Sequence, residues 1–516
     1  MTDLTKFKHV VVMMFENRSF DSMLGYLYKD NNNISPLGHP FEGLTGKESN
    51  PDNEGNEIKA FPIQKEHPYA YFMPQKDPGE GFANTNFQLF GAGQPPFPEG
   101  IEDNQGFVRD FQSTIDNAPL EDKEMKDDPF IVPIQRKKSP DTHHKYRSDA
   151  YKKWYKTPPP SGHASEVPDL EEVQPKDIMG IYTSDMLPVL SGLAKGYAVC
   201  DHWYCSAPTE TLPNRAFTHM GTSQGYLYDE VKSYSAKSIF KHLTDNNHTW
   251  GIFGNHGNPY TLSFCQDLQT PYPSGCKTGS FEDFKTALTD KTLPSYTFLE
   301  PIWGSKGNSQ HPNYNVALGD DYLLEIYKAL KLSDYWEDTL LIITYDEHGG
   351  CYDHVTPPTN AVSPPAKSLA FDFDFTRFGV RVPTVLISPW IEAGTVYRTK
   401  GETPLDHTSI LATLRKCFDL KTPLTERDKA APDVMDVCTR LTPRTDDPME
   451  GVVPPIANPN IQIQPHASQI QKMHAGALAE KASRETGTTV TPPEFHNGDD
   501  VSKYIDDMHK KYYRKE

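Results

Sequence analysis

A buried strand that ends in a cluster of ionisable side chains constrains this chain more than any other stretch. Residues 340–343 read Leu-Leu-Ile-Ile, and an apolar run of this length and type is typical of a strand buried on both faces of a parallel sheet. Asp346, Glu347 and His348 follow, and two glycines come next. In open α/β sheets, ligands bind beyond the carboxyl ends of the strands. The stretch therefore predicts a parallel α/β sheet with a charged site at its edge; a surface turn of acidic residues is the alternative.

The size and charge of the chain argue against several classes of protein. With 516 residues, of which 36% are hydrophobic, the chain can form one large enzyme domain or several smaller ones. A formal net charge of −19 argues against a nucleic-acid partner, since such proteins need basic patches. A local phosphate-ester site remains compatible with this charge, because a bound cation reverses the local field. Seven cysteines over this length do not indicate a disulfide scaffold.

The first twenty residues do not have the pattern of a secretory leader. Two early lysines precede an apolar run that covers only residues 10–15, and no small-residue cleavage site follows it. The apolar runs of the sequence are far shorter than the ~18 residues that a membrane span requires. We therefore expect a soluble protein without a transmembrane segment, cytoplasmic by default, with secretion as the open alternative.

Other predicted strands and helices also meet at polar residues. Residues 9–15 predict a first strand, and Glu16 and Asn17 follow it directly. Thr211 lies at the start of a helix, because proline two positions later fits a first helical turn. His311 precedes a helix with apolar residues at intervals of three and four. Further on, the chain has an apolar strand at 382–388 and a helix start at Asp406-His-Thr-Ser409.

The order of these elements predicts the domain organisation. Strands that alternate with helices over the whole length favour the α/β class with a mostly parallel sheet. Residues 30–175 have little periodicity and predict a long loop-rich insertion, whereas a helix is expected over 178–193. Proline-rich composition begins near residue 440. We expect a main domain over residues 1–440 and a C-terminal extension over 441–516.

Oxygen donors at the predicted strand ends indicate a metal site. A parallel sheet brings the carboxyl ends of its strands to one edge, so we expect Glu16 and Asn17 to approach Asp346 and Glu347. Carboxylate and amide oxygens suit Ca²⁺, Mg²⁺ or Mn²⁺, and Zn²⁺ or Fe becomes plausible if imidazoles join. A threonine at a helix N-terminus beside such an ion can act as a nucleophile, since the metal and the helix dipole both favour the alkoxide. Taken alone, Thr211 would more often be a helix cap.

These residues lie in motifs that resemble the phosphoesterase family of bacterial phospholipases C and acid phosphatases, in the alkaline phosphatase-like superfamily. The matching motifs, in the family's order, are Glu16-Asn-Arg-Ser-Phe-Asp21, Thr211-Leu-Pro-Asn-Arg215, His311-Pro, Tyr345-Asp-Glu-His-Gly-Gly-Cys-Tyr-Asp-His-Val355, Gly379-Val-Arg-Val-Pro-Thr-Val-Leu-Ile-Ser-Pro-Trp390 and Asp406-His-Thr-Ser409. They span roughly residues 7 to 420. The resemblance implies a three-layer α/β/α fold and the hydrolysis of phosphate esters.

The resemblance also implies roles for the site residues. A divalent metal ion, either Ca, Mn, Mg, Zn or Fe, would be held by Glu16, Asn17, Thr211, Asp346 and Glu347. Thr211 would also be the nucleophile and form a covalent phospho-threonine that water then attacks. Either His354 or His311 would protonate the leaving oxygen, and the other would contact the phosphate. Substrate contacts would come from Asn17, Asn214, Arg215 and Glu80. Supporting positions around the metal would be taken by His348, Asp353 and His407.

One segment departs from the family's pattern. Relatives often carry Pro-Gly-His in the long insertion, where this chain has Pro78-Gly79-Glu80. A carboxylate in place of an imidazole changes the substrate contacts that this segment can make. Glu80 could face a cationic head group or a second metal ion, and an ordinary acidic loop residue is an equally good interpretation.

The expected activity is metal-dependent hydrolysis of phosphate esters by a phospholipase C-like phosphodiesterase. The alternative within the same chemistry is an acid phosphatase that acts on soluble monoesters. A non-catalytic binding protein on the same fold is the alternative from another class, and it is disfavoured because nearly every expected catalytic position is filled. The expected partner is a phosphate-ester substrate, with a phospholipid as one form of it, and the oligomeric state stays open.

Overall fold

The structure is a computed structural model that describes residues 7–91, 104–116, 173–229, 233–268, 270–304, 306–365, 373–458 and 467–513. The strands in these residues are β1 (His9–Phe15), β2 (Ser49–Pro51), β3 (Glu57–Lys59), β4 (Phe61–Pro62), β5 (Gly180–Ile181), β6 (Ala198–Cys200), β7 (Trp203–Tyr204), β8 (Trp250–Phe253), β9 (Lys277–Gly279), β10 (Tyr296–Leu299), β11 (Thr339–Tyr345), β12 (Thr384–Ile387), β13 (Thr395–Val396) and β14 (Leu405–Asp406). The helices are α1 (Phe20–Leu24), α2 (Phe82–Phe90), α3 (Phe107–Ile115), α4 (Pro188–Gly196), α5 (Thr211–Met220), α6 (Ile239–Asp245), α7 (Thr261–Phe264), α8 (Phe281–Thr289), α9 (Val316–Lys331), α10 (Thr408–Cys417), α11 (Glu426–Ala430), α12 (Gln469–Thr486) and α13 (Gly498–Tyr512).

A central eight-stranded sheet organises the described residues. Its strand order is β13-β6-β12-β11-β1-β10-β8-β9, and β12 alone in this sheet runs antiparallel to its neighbours. β1 and β11 pair in parallel from His9 opposite Thr339 to Phe15 opposite Tyr345. Because the two strands end opposite each other, the residues that follow them leave the sheet side by side. The predicted α/β class with a mostly parallel sheet is confirmed.

Helices cover both faces of this sheet. On one face, Phe298 of β10 packs edge-on against His219 of α5, with ring centroids 4.6 Å apart. Phe253 of β8 pairs with Leu299, the residue after Phe298, and its ring packs against Phe284 of α8. Successive side chains of a strand point to opposite faces, so α5 and α8 lie on opposite sides of the sheet. The result is the expected three-layer α/β/α arrangement.

The helix predicted over residues 178–193 is wrong in its first half. Pro175–Met179 form a 3₁₀ turn, β5 follows at Gly180–Ile181, and α4 begins only at Pro188. A proline disfavours helical geometry in the residue before it but suits the first turn of a helix. Pro188 therefore sets the helix start, and the apolar spacing before it reflects burial of a short strand and a turn.

The two regions outside the expected core elements are partly described. Within residues 30–175, α2, α3 and three short strands are formed, and residues 92–103 and 117–172 lie outside the described parts. In the C-terminal extension, α12 packs against α13, and its apolar side chains join the same hydrophobic core as the central sheet. The boundary at residue 440 stays a prediction. Among the described helices, none combines the length and the apolar composition needed to cross a membrane.

Candidate active site

Asp346 joins the ends of the two central strands. One of its carboxylate oxygens accepts hydrogen bonds from the backbone N–H groups of Asn17, at 2.9 Å, and of Glu347, at 2.8 Å. The other oxygen accepts from the guanidinium of Arg215, at 2.9 Å. All these groups are buried. Asp346 and Arg215 therefore fix the residues after β1 against those after β11, and Arg215 supplies the counter-charge inside the protein.

Thr211 is the first residue of α5 and meets this junction. Its hydroxyl donates a hydrogen bond to the side-chain oxygen of Asn17 over 3.1 Å. The backbone N–H of Leu212 donates to a carboxylate oxygen of Asp229 over 2.7 Å. The N-terminus of a helix favours negative charge, because its first N–H groups lack intrahelical partners and its dipole is positive there. The Thr211 hydroxyl therefore lies at the positive end of the α5 dipole.

Two buried carboxylate oxygens that follow β1 and β11 suit a cation. Glu16 Oε2 and Glu347 Oε1 have no hydrogen-bond partner among the described residues. Burial raises the pKa of Glu16 to about 7. Burial, followed by the charge of Asp346, raises the pKa of Glu347 well above its usual range. A buried carboxylate without a partner is costly unless it binds a cation, so these two oxygens suit a hard divalent ion.

Two glycines allow a separate loop to enter the site. Gly349 has φ +60°, and a Cβ there would lie 2.2 Å from the backbone oxygen of Asn17. Gly350 has φ +65°, and a Cβ there would lie 2.4 Å from the backbone oxygen of Gly79. Both positions need glycine, because any side chain would be strained and would collide with backbone. The close packing of Gly79 on Gly350 brings Glu80 to Asn17, whose side-chain amide donates a hydrogen bond to its carboxylate.

Glu80 shares this edge of the site with His311. Ligand atoms of Asp77, Glu80 and His311 all lie within 4.8 Å of one another. Burial and then the charge of Glu347 raise the pKa of Glu80 well above its usual range. Asp77 belongs to the same Asp-Pro-Gly-Glu segment but was not predicted as a site residue, because an aspartate in a loop carries no signal of its own.

His354 is held in a second ionic cluster. Its Nδ1 lies 2.6 Å from a carboxylate oxygen of Asp21, and its Nε2 lies 3.8 Å from Glu42. Burial lowers its pKa, but Asp21 and Glu42 outweigh burial and raise the pKa to about 10. Its side chain is 19% exposed. His354 is therefore an imidazolium that solvent can reach, and neither of its two carboxylate partners was identified from the sequence.

Arg381 and Asp353 support that cluster from the interior. Arg381 is fully buried and lies 2.9 Å from a carboxylate oxygen of Asp353 and 2.9 Å from one of Asp21. A carboxylate oxygen of Asp353 also accepts from the backbone N–H of Asp21, at 3.2 Å. Asp353 is thus bound to Arg381 and Asp21, on the His354 side of the site.

Asn214 and the buried histidines make contacts that hold the site in place. Asn214 hydrogen-bonds to the backbone of Ala207, Thr209 and Glu210, so its side chain fixes the loop before α5. His407 Nε2 lies 2.6 Å from the backbone oxygen of Asp346. His348 Nε2 lies 2.7 Å from the side-chain oxygen of Gln88, and burial lowers its pKa to about 3. His348 and His407 are therefore buried, neutral imidazoles close to the end of β11.

The sequence matches a known family and several curated proteins. A family model described as the Phosphoesterase family matches residues 7–421. Non-specific phospholipase C6 of Arabidopsis thaliana is 34% identical over 460 residues, which cover 86% of this chain and 74% of that protein. Non-specific phospholipase C1 of the same plant is 33% identical, with coverage of 82% and 69%. The non-hemolytic phospholipase C of Burkholderia pseudomallei is 26% identical, with coverage of 59% and 52%. The family match includes the site residues from Glu16 to His407.

Proposed function

The chain belongs to the phosphoesterase family, and on that premise we propose that it hydrolyses phosphodiesters as a phospholipase C does, through a covalent intermediate on Thr211 and with a bound divalent cation. The relatives named as phospholipases C support a diester substrate over a soluble monoester. The observation that carries the mechanism is the Thr211–Asn17 hydrogen bond at the start of α5, together with the unpartnered oxygens of Glu16 and Glu347.

The cation would be held by the predicted set of Glu16, Asn17, Thr211, Asp346 and Glu347. When bound, it would supply Lewis-acid stabilisation of phosphoryl oxygens and favour the ionised form of the threonine hydroxyl. Asp346 already has Arg215 as a partner, so Glu16 and Glu347 contribute the oxygens that most need a counter-charge. The preference between Ca²⁺, Mg²⁺, Mn²⁺, Zn²⁺ and Fe stays open.

The protein groups account for both halves of the reaction. Thr211 loses its proton to solvent, its oxygen forms a bond to phosphorus, and the bond to the leaving oxygen breaks as that oxygen takes a proton from His354. The positive end of the α5 dipole stabilises the charge of the phosphoryl oxygens. In the second half, water attacks the phosphoryl ester, gives its proton to the neutral imidazole and releases Thr211. His311 takes no part in the proton transfers of this scheme.

We expect a diester to be the preferred substrate of the metal-replete protein. The kcat/KM for p-nitrophenylphosphorylcholine is expected to exceed that for p-nitrophenyl phosphate by about tenfold or more, since a site built for a head group gains binding energy from it. Spectrophotometric assays of both compounds, with the same metal, measure this ratio. The reverse order would support the acid phosphatase. Cleavage of neither compound, nor of phosphatidylcholine, would support the binding protein.

The proposed acid predicts an alkaline limit to activity. His354 must be protonated to assist the leaving oxygen, so kcat on phosphatidylcholine is expected to fall as the pH rises through the pKa of about 10. Glu42→Gln removes a charge that raises this pKa, so the alkaline limb should move to lower pH, by up to about one unit for a partly exposed pair. Phosphatidylcholine suits the measurement because its alkoxide leaving group needs a proton.

The matched control for this shift is Glu392→Gln. Glu392 is also partly exposed and pairs with Arg440 at 2.7 Å, away from His354. Its substitution makes the same change in charge and should leave the alkaline limb in place. If Glu42→Gln leaves the limb where it is in the wild type, His354 is not the acid.

A further inference from the structure

We propose that Asp77, Glu80 and His311 form a second divalent-cation site, which the side chain of Asn17 links to the nucleophile. Their ligand atoms lie within 4.8 Å of one another, and they come from two separate segments of the chain. Asn17 accepts a hydrogen bond from Thr211 through its oxygen and donates one to Glu80 through its nitrogen. The inference rests on the proposed function, because this second cation would share the phosphoester site.

The geometry of His311 is that of a metal ligand. Its Nδ1 lies 2.9 Å from the backbone oxygen of Pro312, so in the neutral ring Nδ1 carries the proton and donates it to that carbonyl. The Nε2 lone pair is then available, 3.8 Å from a carboxylate oxygen of Asp77. That separation is too long for a hydrogen bond, and an ion at roughly 2.0–2.2 Å from each atom would span it. Metal-bound histidines commonly donate their second N–H to a carbonyl in this way.

The charges around Glu80 also favour a second cation. Glu347 Oε1 is fully buried, has no hydrogen-bond partner among the described residues, and exerts the largest charge effect on Glu80. The guanidinium of Arg215 is already bound to Asp346. The first cation would balance Glu16 and Glu347, but the Glu80 carboxylate also faces the charges of Asp77, Asp229 and Glu210, and a second cation would balance these.

The site is held firmly on one side and open on the other. Gln88 donates a hydrogen bond to the backbone oxygen of Gly79 over 2.7 Å, and Gly79 packs on Gly350, so the loop that carries Glu80 has a fixed position. The Asp77 side chain is 44% exposed, which gives an ion a path from solvent. One imidazole and two carboxylates suit Zn²⁺ or Mn²⁺. A proton on His311 competes with the metal ion. Burial lowers the pKa of His311, but Asp77 and Glu16 outweigh burial and raise it.

Counting bound Mn²⁺ tests the second site without any assay of activity. Chelator-treated full-length protein is titrated with MnCl₂, free Mn²⁺ is followed by EPR, and bound metal is confirmed by elemental analysis. We expect about two ions per wild-type chain and about one for Glu80→Gln, whose amide oxygen can still accept from Asn17. Glu66→Gln makes the same change in charge at an exposed position of the same region and should keep two.

Further variants separate this inference from the proposed function. His311→Gln leaves the Asn17 contacts intact and should also bind about one ion, which covers the case in which Glu80→Gln does not fold. Glu16→Gln removes a ligand of the first site and should keep the second ion. One ion in wild type and in Glu80→Gln alike, or two in both, would overturn the second site and leave the proposed function standing. No bound ion in wild type would overturn both.

Discussion

Thr211→Ala is expected to lower kcat on a phosphodiester by at least about 10³-fold, because no other atom replaces the hydroxyl oxygen that bonds to phosphorus. The fold should survive. Thr211 lies at the first position of α5, its hydroxyl makes one side-chain hydrogen bond, to Asn17, and alanine is a good helix former. The measurement is kcat at saturating metal and substrate, together with a melting curve that shows the variant is folded.

Two controls make the Thr211 result specific. Thr218→Ala deletes a buried hydroxyl two turns along the same helix, where it donates to the backbone oxygen of Asn214 over 3.2 Å, and should change kcat only a few-fold. Thr211→Ser keeps a hydroxyl and should keep measurable turnover. If the wild-type protein is quenched with acid during turnover, the phosphoryl group, with the head group still attached, should be found bound to the peptide that contains Thr211. Wild-type turnover by Thr211→Ala would place the nucleophile elsewhere.

The sequence predicted the sheet and the strand-end residues because their signals are local. Residues 10–15 and 340–343 are apolar runs, and an acidic residue directly follows each strand, so both the strands and their ends could be recognised. The pairing of β1 with β11 then follows from the general behaviour of parallel sheets. Thr211 could be located because Pro213 marks a helix start. In each case one short stretch contains all the information needed.

The remaining features depend on contacts between distant parts of the chain. The partnership of Asp21 with Arg381 spans 360 residues, and no local pattern distinguishes this arginine from the others. Glu42 reaches His354 across a similar distance. The antiparallel direction of β12 is likewise invisible in its apolar sequence, since burial on both faces looks the same for either direction. The error over residues 178–193 has a different cause, because Pro188 is a local signal that already marks the true start of the helix.

Arg381→Ala is expected to destabilise the protein by about 3–5 kcal/mol, the cost of breaking a buried ion pair by removing one partner. Arg381 is fully buried, and its guanidinium donates to the carboxylates of Asp21 and Asp353 and to the backbone oxygens of Glu42 and Asp201. Without it, two buried carboxylates and two carbonyl groups lose their shared donor. Urea unfolding at neutral pH measures the loss in the free energy of unfolding.

The control for this loss is Arg440→Ala, which breaks a partly exposed pair with Glu392 and should cost at most about 1 kcal/mol.

The pH dependence of the loss in Arg381→Ala identifies its cause. The orphaned groups in Arg381→Ala are carboxylates, and a buried carboxylate is destabilising only while it is ionised. The difference from wild type should therefore shrink as the pH falls and Asp353, whose pKa burial raises to about 6, takes up a proton. The double substitution Asp21→Asn with Asp353→Asn, added to Arg381→Ala, should recover part of the loss at neutral pH for the same reason. A loss that does not change with pH would mean that Arg381 stabilises this cluster by packing against Phe20, 4.6 Å from its ring centroid, and not by its charge.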